Sequence, residues 1–278
     1  MRANPGIADL DPEWIAAQAP RIAWDRLSVA VHAEVGSTND EAAALARAGA
    51  PAGLLVVADH QTAGRGRKGR RWLSVPGSSL CFSLVLRPGV ERRAWPLLSL
   101  AAAAALARCL QAVAADVALK WPNDVLIGGR KVAGILIETV DRPGGSPAAV
   151  IGVGVNVARN SIPPGMEDSA ASVSSATGSD VLRQSLLVSF LGEFQRTYLL
   201  FEAGRHREIV DEWESLAPMS RNTGVWLEDG EGPREAVTCG LTDLGCLRVR
   251  FPDGGEGTVL AGDVSLRYSG EKPITGNQ

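Results

Sequence analysis

The chain has 278 residues, of which 45% are hydrophobic and 21% charged, a composition that excludes a disordered or fibrous protein. Its 28 Lys and Arg residues against 31 Asp and Glu residues give a net charge of −3, so any basic site is local. The four cysteines and three histidines show no C-x-x-C or H-x-x-x-H spacing, which disfavours a protein-built metal centre and is typical of a reducing compartment. With no signal segment and no membrane-spanning run, we expect a cytoplasmic protein without membrane contact.

The first 217 residues predict a mixture of helices and strands. A short amphipathic segment lies near 12–18, and the first clear helix prediction is an Ala-rich helix with Thr38 and Glu41 as a capping box and Gly49 at its end. Apolar runs predict four strands and one buried helix, and helical periodicity predicts two later helices. The strands lie at 53–59, 79–86, 131–138 and 149–157, and the helices at 96–113, 181–202 and 205–216, with a polar loop at 161–180.

After Pro218 the pattern changes to short strands separated by glycine turns, which predicts a small β-barrel. These strands are expected at 224–227, 235–239, 246–251, 257–260 and 263–268. The predicted fold class is therefore α+β, with a mixed β-sheet and flanking helices followed by the barrel. We expect an N-terminal extension at 1–30, a main domain at 31–217, a C-terminal domain at 218–270 and a tail at 271–278.

The segment from Gly64 to Trp72 (GRGRKGRRW) carries five cations within seven positions, and these repel one another in an isolated loop. Such a loop is stabilised when it wraps an anion, and its glycines let backbone N–H groups approach that anion closely. A solvated basic loop or a nucleic-acid patch is the alternative. Because no aromatic residue is interleaved before Trp72 and the whole chain is negative, a phosphate-bearing small molecule is favoured.

A second motif, KWPND at 120–124, combines a lysine, an amide and a carboxylate. Pro122 blocks a helix, so Lys120 is expected at a strand end with Asn123 and Asp124 in the turn. Only four of the 28 cations are lysines, which favours Lys120, and Lys131 at the start of an apolar strand, as site residues. The alternatives are a surface lysine beside an Asn-Asp turn and a strand-edge charge.

Two further features point to a ligand less specifically. The strand at 152–156 (GVGVN) lacks side chains at two positions of one face, which indicates close approach of a ligand or, equally, packing against a helix. The helix that begins at residues 37–39 offers hydroxyls and N–H donors to a polar ligand head, although a plain N-cap has the same sequence. Gln61 ends a strand just before the Arg-rich loop and can donate and accept hydrogen bonds.

Taken in order, these motifs resemble the biotin–protein ligase family. The matching strings are GSTN (36–39), ADHQTAGRGRKGRRW (58–72), WLSVPGSSLCFSLVLRP (72–88), KWPNDV (120–125), KVAGILIE (131–138) and GVGVNV (152–157). AGDVSLR at 261–267 is similar to the end of that family's small SH3-like domain. The resemblance implies a class II synthetase-like catalytic domain, followed by the SH3-like barrel.

The activity that the resemblance implies has two steps. Biotin reacts with ATP, which brings Mg²⁺, to give biotinyl-5′-AMP. The biotinyl group then passes to a lysine of a biotin carboxyl carrier domain, that of acetyl-CoA carboxylase or a similar carboxylase. A carboxylate nucleophile is already ionised at pH 7, so the first step requires cations rather than a Ser/His dyad.

Matching each position to its motif also implies site residues. Biotin-binding residues are expected at Ser37, Thr38, Asn39, Gln61, Arg65, Gly66, Arg67, Lys131 and Gly134. ATP and the adenylate are expected to contact Arg67, Lys68, Arg70, Trp72, Lys120, Asn123 and Asn156. The expected catalytic residues are Lys131, Arg67, Lys120 and Asp124, and no metal site built by the protein itself is expected.

The segment 1–30 is too short for a DNA-binding domain, so we expect no DNA partner and no repression, and a monomer or homodimer. The nearest alternative is a lipoate–protein ligase, which has the same fold and adenylation chemistry, but the Gly-Arg loop and KWPND together favour biotin. An alternative of a different class is a nucleic-acid-binding protein that uses the Arg-rich loop and the barrel. That protein would show a strong salt dependence of binding.

Overall fold

The computed structural model describes residues 9–19, 27–228, 233–261 and 265–268. The helices are α1 (Pro12–Gln18), α2 (Thr38–Ala48), α3 (Leu97–Gln111), α4 (Val173–Thr177), α5 (Arg183–Glu202) and α6 (His206–Ser215). The strands are β1 (Ser28–Val35), β2 (Leu54–Gln61), β3 (Ser79–Leu86), β4 (Val117–Lys120), β5 (Asp124–Ile127), β6 (Arg130–Val140), β7 (Ala148–Asn156), β8 (Arg221–Glu228), β9 (Pro233–Leu241), β10 (Leu247–Arg250), β11 (Glu256–Val259) and β12 (Ser265–Tyr268).

A seven-stranded mixed sheet in the order β1-β2-β3-β7-β6-β5-β4 forms the centre of the structure. β1 and β2 run parallel and are connected through α2, whereas every other neighbouring pair in this sheet is antiparallel. β3 and β7 are buried along their whole length, which explains their nearly continuous apolar sequences. The expected α+β class with a mixed sheet is therefore confirmed.

The two faces of this sheet are covered differently. On one face α3 and α5 form the main core, in which Phe82 of β3 meets Phe190 of α5 edge-on at 5.1 Å. On the other face Ala42 and Ala46 of α2 pack against Val85 and Val150 of the sheet. Small side chains let α2 approach the sheet closely. The helix covers only part of this face, and its N-terminus marks the edge of a pocket.

A second, five-stranded antiparallel sheet follows in the order β11-β10-β9-β8-β12. Its β9–β10 turn contacts the first unit: Trp121 donates its Nε1–H to the carbonyl oxygen of Gly245 at 3.1 Å. The backbone N–H of Leu119 in β4 donates to the carbonyl of Leu216, just before this sheet, at 2.8 Å. The second sheet is thus attached beside the turn that follows Lys120.

Local predictions and structure differ at several places. The capping box is wrong: Ser37 is the N-cap and makes no side-chain cap bond. Thr38 is the first helical residue, and its hydroxyl contacts Gln61 and Ser83 instead. β1 was not expected, and it begins at Ser28, inside the segment assigned to the extension. The loop predicted at 161–180 contains α4, which has its own capping box at Ser172 and Ser175.

Some predictions fall outside the described residues. The strand expected at 263–268 is described only as β12, and residues 262–264 of the AGDVSLR string, like the tail, lie outside the described part. Within the described ranges no helix is both long and apolar enough to cross a membrane.

Candidate functional site

One pocket gathers nearly all of the predicted site residues on the α2 face of the central sheet. It opens between the start of α2, the Arg-rich loop, the β4–β5 turn and the middle of β6 and β7. Its lining includes Ser37, Thr38, Asn39, Gln61, Arg65, Gly66, Arg67, Lys68, Arg70, Trp72, Lys120, Asn123, Asp124, Lys131 and Gly134. Residues far apart in sequence therefore meet in one cavity, as the motifs predicted.

Asn156 is the predicted site residue that is absent from this lining. It ends β7 on the same face as Gly152 and Gly154, but it is buried beyond the pocket. Its Nδ2 donates to the carbonyl of Ala171 at 3.4 Å, so the amide joins β7 to the segment before α4. The geometry gives Asn156 a structural contact and no contact with the cavity.

The glycines of β7 make room for protein side chains at the floor of the pocket. A Cβ on Gly152 would overlap the amide of Asn39, and a Cβ on Gly154 would overlap the indole of Trp72. Gly152 therefore admits the first turn of α2, which agrees with the packing interpretation of this strand. Gly154 admits Trp72, whose ring forms part of the pocket wall.

One end of the pocket is lined by uncharged hydrogen-bonding groups. The Oε1 atom of Gln61 accepts the backbone N–H of Thr38 at 2.7 Å and lies 3.1 Å from the Thr38 hydroxyl. Ser83 Oγ lies 2.8 Å from Thr38 Oγ1 and 2.6 Å from Asn39 Oδ1. Thr38 and Asn39 are both buried, so their amide and hydroxyl positions are fixed before a ligand binds.

The Arg-rich loop is folded over this face by its own side chains. Arg65 forms ion pairs with Asp40 at 2.8 Å and with Glu138 of β6 at 2.5 Å. The loop turns at Lys68, whose φ of 55° is left-handed, and closes with the backbone N–H of Trp72 donating to the carbonyl of Gly64 at 2.9 Å. The charge of Arg65 is therefore directed to two carboxylates of the protein.

Arg67 reaches across the cavity to the KWPND motif and donates to Asn123 Oδ1 at 3.3 Å. Burial lowers the pKa of Arg67, the carboxylate of Asp124 opposes that shift, and the nearby charge of Arg70 adds to it. Asn123 in turn donates its Nδ2–H to the carbonyl of Ile135 at 2.7 Å, which holds the amide oxygen toward the cavity. A half-buried cation without a full counter-charge is suited to bind an anion.

Lys131, at the start of β6, is the second cation at the end of the pocket where Arg67 lies. Its backbone N–H donates to Ser169 and its carbonyl accepts the N–H of Ala171, so the start of β6 is held in place. The ammonium lies 2.6 Å from Asp124 Oδ1 and 5.7 Å from the ring centre of Trp72. Lys120 ends β4 as predicted, whereas Asp124 is the first residue of β5 rather than a turn residue.

Three residues near the pocket were not singled out by the sequence. Ser83 and Glu138 hold Asn39, and they resemble ordinary strand residues in the sequence. Cys81 is fully buried next to Gln61 and Trp72, and burial raises the pKa of its thiol to about 12. That thiol remains protonated at neutral pH and fills space. Strand register alone places these residues at the site.

Comparison with known proteins finds similarity to biotin and lipoate ligases. A profile described as the biotin/lipoate A/B protein ligase family matches residues 34–156. The biotin–[acetyl-CoA-carboxylase] ligase of Paracoccus denitrificans is 36% identical over 230 residues, which cover 80% of this chain and 94% of that protein. The bifunctional ligase/repressor BirA of Bacillus spizizenii is 35% identical over 235 residues, covering 84% of this chain and 72% of that protein.

The structural comparison extends the similarity beyond the profile match. The biotin protein ligase from Aquifex aeolicus, solved in complex with biotin and ATP, has a TM-score of 0.76 and 30% identity. That match covers 87% of this chain and 99% of the Aquifex chain. The Leishmania major biotin protein ligase, solved with biotinyl-5-AMP, has a TM-score of 0.58 and 26% identity over 84% of this chain.

Proposed function

The chain belongs to the biotin–protein ligase family, and from that premise we propose that it joins biotin to a lysine of a carrier protein in two ATP-dependent steps. The observation that carries this proposal is the polarity of the pocket. One end presents the uncharged groups of Thr38 and Gln61, and the other end presents Arg67 and Lys131. A ligand with a neutral hydrogen-bonding head and a carboxylate tail suits this arrangement.

In the first step, a carboxylate oxygen of biotin attacks the α-phosphorus of ATP. The bond from that phosphorus to the oxygen bridging to the β-phosphate breaks, and pyrophosphate leaves. The carboxylate and the polyphosphate repel each other, so the site has to supply positive charge where they meet. Lys131, Arg67 and Lys120 line the same cavity and supply it.

Each of these cations has a separate role in the proposal. Lys131 holds the biotin carboxylate and then the acyl-phosphate oxygen. Its ammonium lies beside the ring of Trp72, which forms an apolar wall of the pocket. Arg67 binds the α-phosphate through a partly buried guanidinium that Asn123 orients. Lys120 contacts the outer phosphates from the end of β4, with Lys68 and Arg70 at the rim of the loop.

Magnesium fits this site as a companion of ATP. Asp124 is the carboxylate in the lining, beside the amide oxygen of Asn123. In the described ranges no three His, Cys, Asp or Glu side chains cluster as a metal-binding group. Magnesium is commonly held by one or two carboxylates and by phosphate oxygens, which is the donor set available here. When bound, the ion would neutralise phosphate charge.

In the second step, the amine of a carrier lysine attacks the acyl carbon of biotinyl-AMP, and AMP leaves. The Arg-rich loop excludes water from the anhydride while the carrier approaches. We assign the chemistry to the unit of residues 31–217, together with the first three residues of β1. We also assign residues 218–270 to a C-terminal domain of SH3-like fold, whose sheet contacts the nucleotide-binding turn through Trp121.

The test is incubation of the protein with biotin, MgATP and the biotin carboxyl carrier domain of an acetyl-CoA carboxylase. Mass spectrometry of the carrier should show the added mass of one biotinyl group on one lysine. A carrier with that lysine replaced by arginine serves as the control. Lipoate in place of biotin should give no modified carrier, and modification by lipoate alone would assign the protein to the other branch of the family.

A further inference from the structure

The uncharged end of the pocket belongs to a chain of hydrogen bonds that ends on a carboxylate. Asn39 donates its Nδ2–H to Glu138 Oε2 at 2.8 Å, and Ser83 lies 2.6 Å from Asn39 Oδ1. Ser83 in turn lies 2.8 Å from the hydroxyl of Thr38, which lines the cavity. The chain therefore runs from Glu138 through two buried side chains to a group that faces the ligand.

Counting hydrogens fixes the direction of the bonds that Asn39 makes with Glu138 and Ser83. An ionised carboxylate only accepts, so Glu138 requires the amide nitrogen of Asn39 on its side. Asn39 Oδ1 then faces Ser83 and can only accept, which commits the single hydroxyl hydrogen of Ser83 to it. Ser83 then has no hydrogen left for Thr38, and the single hydrogen of Thr38 goes to one of the two acceptors it faces, Ser83 Oγ at 2.8 Å or Gln61 Oε1 at 3.1 Å.

The outcome for the pocket is a defined pattern of donors and acceptors. Thr38 Oγ1 has spent its hydrogen and offers lone pairs to the ligand. The Oε1 atom of Gln61 is held by the backbone N–H of Thr38 at 2.7 Å, so the Nε2 donor of Gln61 remains for the ligand. An acceptor beside a donor matches the N–H and C=O of a cyclic urea.

We propose that Glu138 is a positioning residue that determines the hydrogen-bonding polarity of the head-group pocket, acting through Asn39, Ser83 and Thr38. This inference rests on the proposed function for the identity of the ligand as a ureido compound. Glu138 does not line the cavity. Its effect on ligand selection therefore passes through the hydrogen bonds of Asn39, Ser83 and Thr38 and not through direct contact with the ligand.

Arg65 makes this role testable because it also contacts Glu138. Its NH1 and NH2 atoms donate to the two carboxylate oxygens at 2.9 and 2.5 Å. In Glu138→Gln only one oxygen remains, and Arg65 competes for it as the charged donor. The amide NH₂ of the new side chain then faces Asn39 and favours the orientation in which Asn39 turns its oxygen toward residue 138 and its NH₂ toward Ser83. Ser83 would then accept from Asn39 and donate its own hydrogen toward Thr38.

Asp40 provides a matched control for the loss of an ion pair. It also pairs with Arg65 NH2, at 2.8 Å, but its side chain is 62% exposed and it makes no contact in the chain to Thr38. Asp40→Asn and Glu138→Gln each leave Arg65 with one carboxylate. Only Glu138→Gln changes what Asn39 faces.

The experiment measures biotin affinity by calorimetry, and the KM values for biotin and ATP together with kcat for adenylate formation. We expect Glu138→Gln to raise the dissociation constant and KM for biotin about tenfold, the loss of one charge-assisted hydrogen bond, with KM for ATP unchanged. Asp40→Asn should leave all of these at the wild-type values. Ser83→Ala breaks the chain at its middle, so adding Glu138→Gln to it should have no further effect.

Three results would overturn the inference. They are an unchanged biotin KM in Glu138→Gln, an equal change in Asp40→Asn, and additive effects of Glu138→Gln and Ser83→Ala. Failure of the proposed function looks different, because the wild-type protein itself would then bind no biotin in the calorimeter.

Discussion

Lys131 of β6 and Asp124 of β5 form an ion pair diagonally across these two neighbouring strands, with Nζ and Oδ1 at 2.6 Å. The ammonium that we assign to the biotin carboxylate is thus already paired with a carboxylate of the protein. Trp72 packs beside the ammonium, and Lys131 is about one-third exposed. Asp124 therefore holds Lys131 in place before the ligand arrives, and the biotin carboxylate has to share or take over that pairing.

Replacing Lys131 by arginine keeps the charge but changes its shape, and we expect biotinyl-AMP to form much more slowly. A planar guanidinium is larger than an ammonium and displaces the carboxylate from its line of attack. A misplacement of about 1 Å can cost roughly a hundredfold in rate. Single-turnover formation of the adenylate from labelled ATP measures the effect, and Lys131→Ala should be slower still.

The control for Lys131→Arg is a thermal melt, which should match that of the wild-type protein. Wild-type turnover by Lys131→Arg would mean that this position supplies only bulk positive charge. Its assignment as the partner of the biotin carboxylate would then be wrong.

A second prediction concerns retention of the adenylate by the Arg-rich loop. We expect Arg67→Ala to release biotinyl-AMP about ten- to a hundredfold faster, since a charge-assisted hydrogen bond contributes about 1.5–3 kcal/mol. Arg71 in the same loop also borders the pocket, but its guanidinium is bound to the loop's own backbone, so it is the matched control. Its NH2 donates to the backbone carbonyl of Thr62 at 3.1 Å, and it is exposed. Arg71→Ala should change adenylate release much less.

Release can be followed by loading the protein with labelled biotinyl-AMP and adding excess unlabelled biotin. The unlabelled biotin occupies each vacated site, so the loss of protein-bound label gives the release rate. Equal release from wild-type protein and a folded Arg67→Ala variant would rule out a direct contact between Arg67 and the adenylate.

The sequence predicted best those elements whose character is uniform. β3 is buried at every position and its predicted bounds, 79–86, agree with the structure. β1 was missed because it is an edge strand with mixed burial, so its side chains show no clean alternation. The capping box at Thr38 failed for a tertiary reason: the hydroxyl that would cap the helix is bound to partners from β2 and β3.

The pocket likewise contains residues that the sequence motifs predict and residues that only tertiary contacts place there. Motif order predicted that Arg67, Lys120 and Lys131 would meet, and the structure brings them into one cavity. Glu138 and Ser83 could not be predicted, because their contacts with Asn39 depend on the register of β6 and β3 against β7 and on the depth at which α2 sits. That depth is set by Gly152, where the sequence shows the missing side chain but not what fills the space.

A third prediction concerns acid stability through Arg183, which is 3% exposed and pairs with Asp9 and Asp59. Burial of Asp9 would raise its pKa, but the hydrogen bonds and charge of Arg183 outweigh burial and hold the pKa below its usual value. Because the folded pKa is the lower one, this pairing stabilises the protein above the unfolded pKa. That stabilisation is lost as the pH falls through the folded pKa.

We therefore expect Asp9→Asn to melt several degrees lower than wild type at pH 7, with the difference shrinking as the pH falls below about 4. Melts across this range test the prediction. Glu13→Gln, an exposed acid on the same segment, is the control and should show no comparable narrowing. A difference that stays constant with pH would mean that the ionisation of Asp9 does not contribute.

The last prediction tests whether the second sheet positions the nucleotide end of the pocket. Trp121 lies between Lys120 and the turn, and its Nε1–H bond to Gly245 is the contact that ties this motif to the β9–β10 turn. Trp121→Phe keeps most of the ring but leaves the carbonyl of Gly245 without that donor. We expect KM for ATP to rise about fivefold to tenfold, since small displacements of phosphate-binding groups are costly.

Trp95 supplies the matched control because it is equally buried and donates its Nε1–H to the carbonyl of Val90 at 2.9 Å, outside the pocket lining. Trp95→Phe loses the same kind of hydrogen bond and should lower the melting temperature by a similar amount. Only Trp121→Phe should change KM for ATP, measured by initial rates of biotinyl-AMP formation with biotin saturating. Equal KM values for the two variants would show that the Trp121–Gly245 bond serves stability alone, and that the second sheet has no part in holding Lys120 and Asn123 toward ATP.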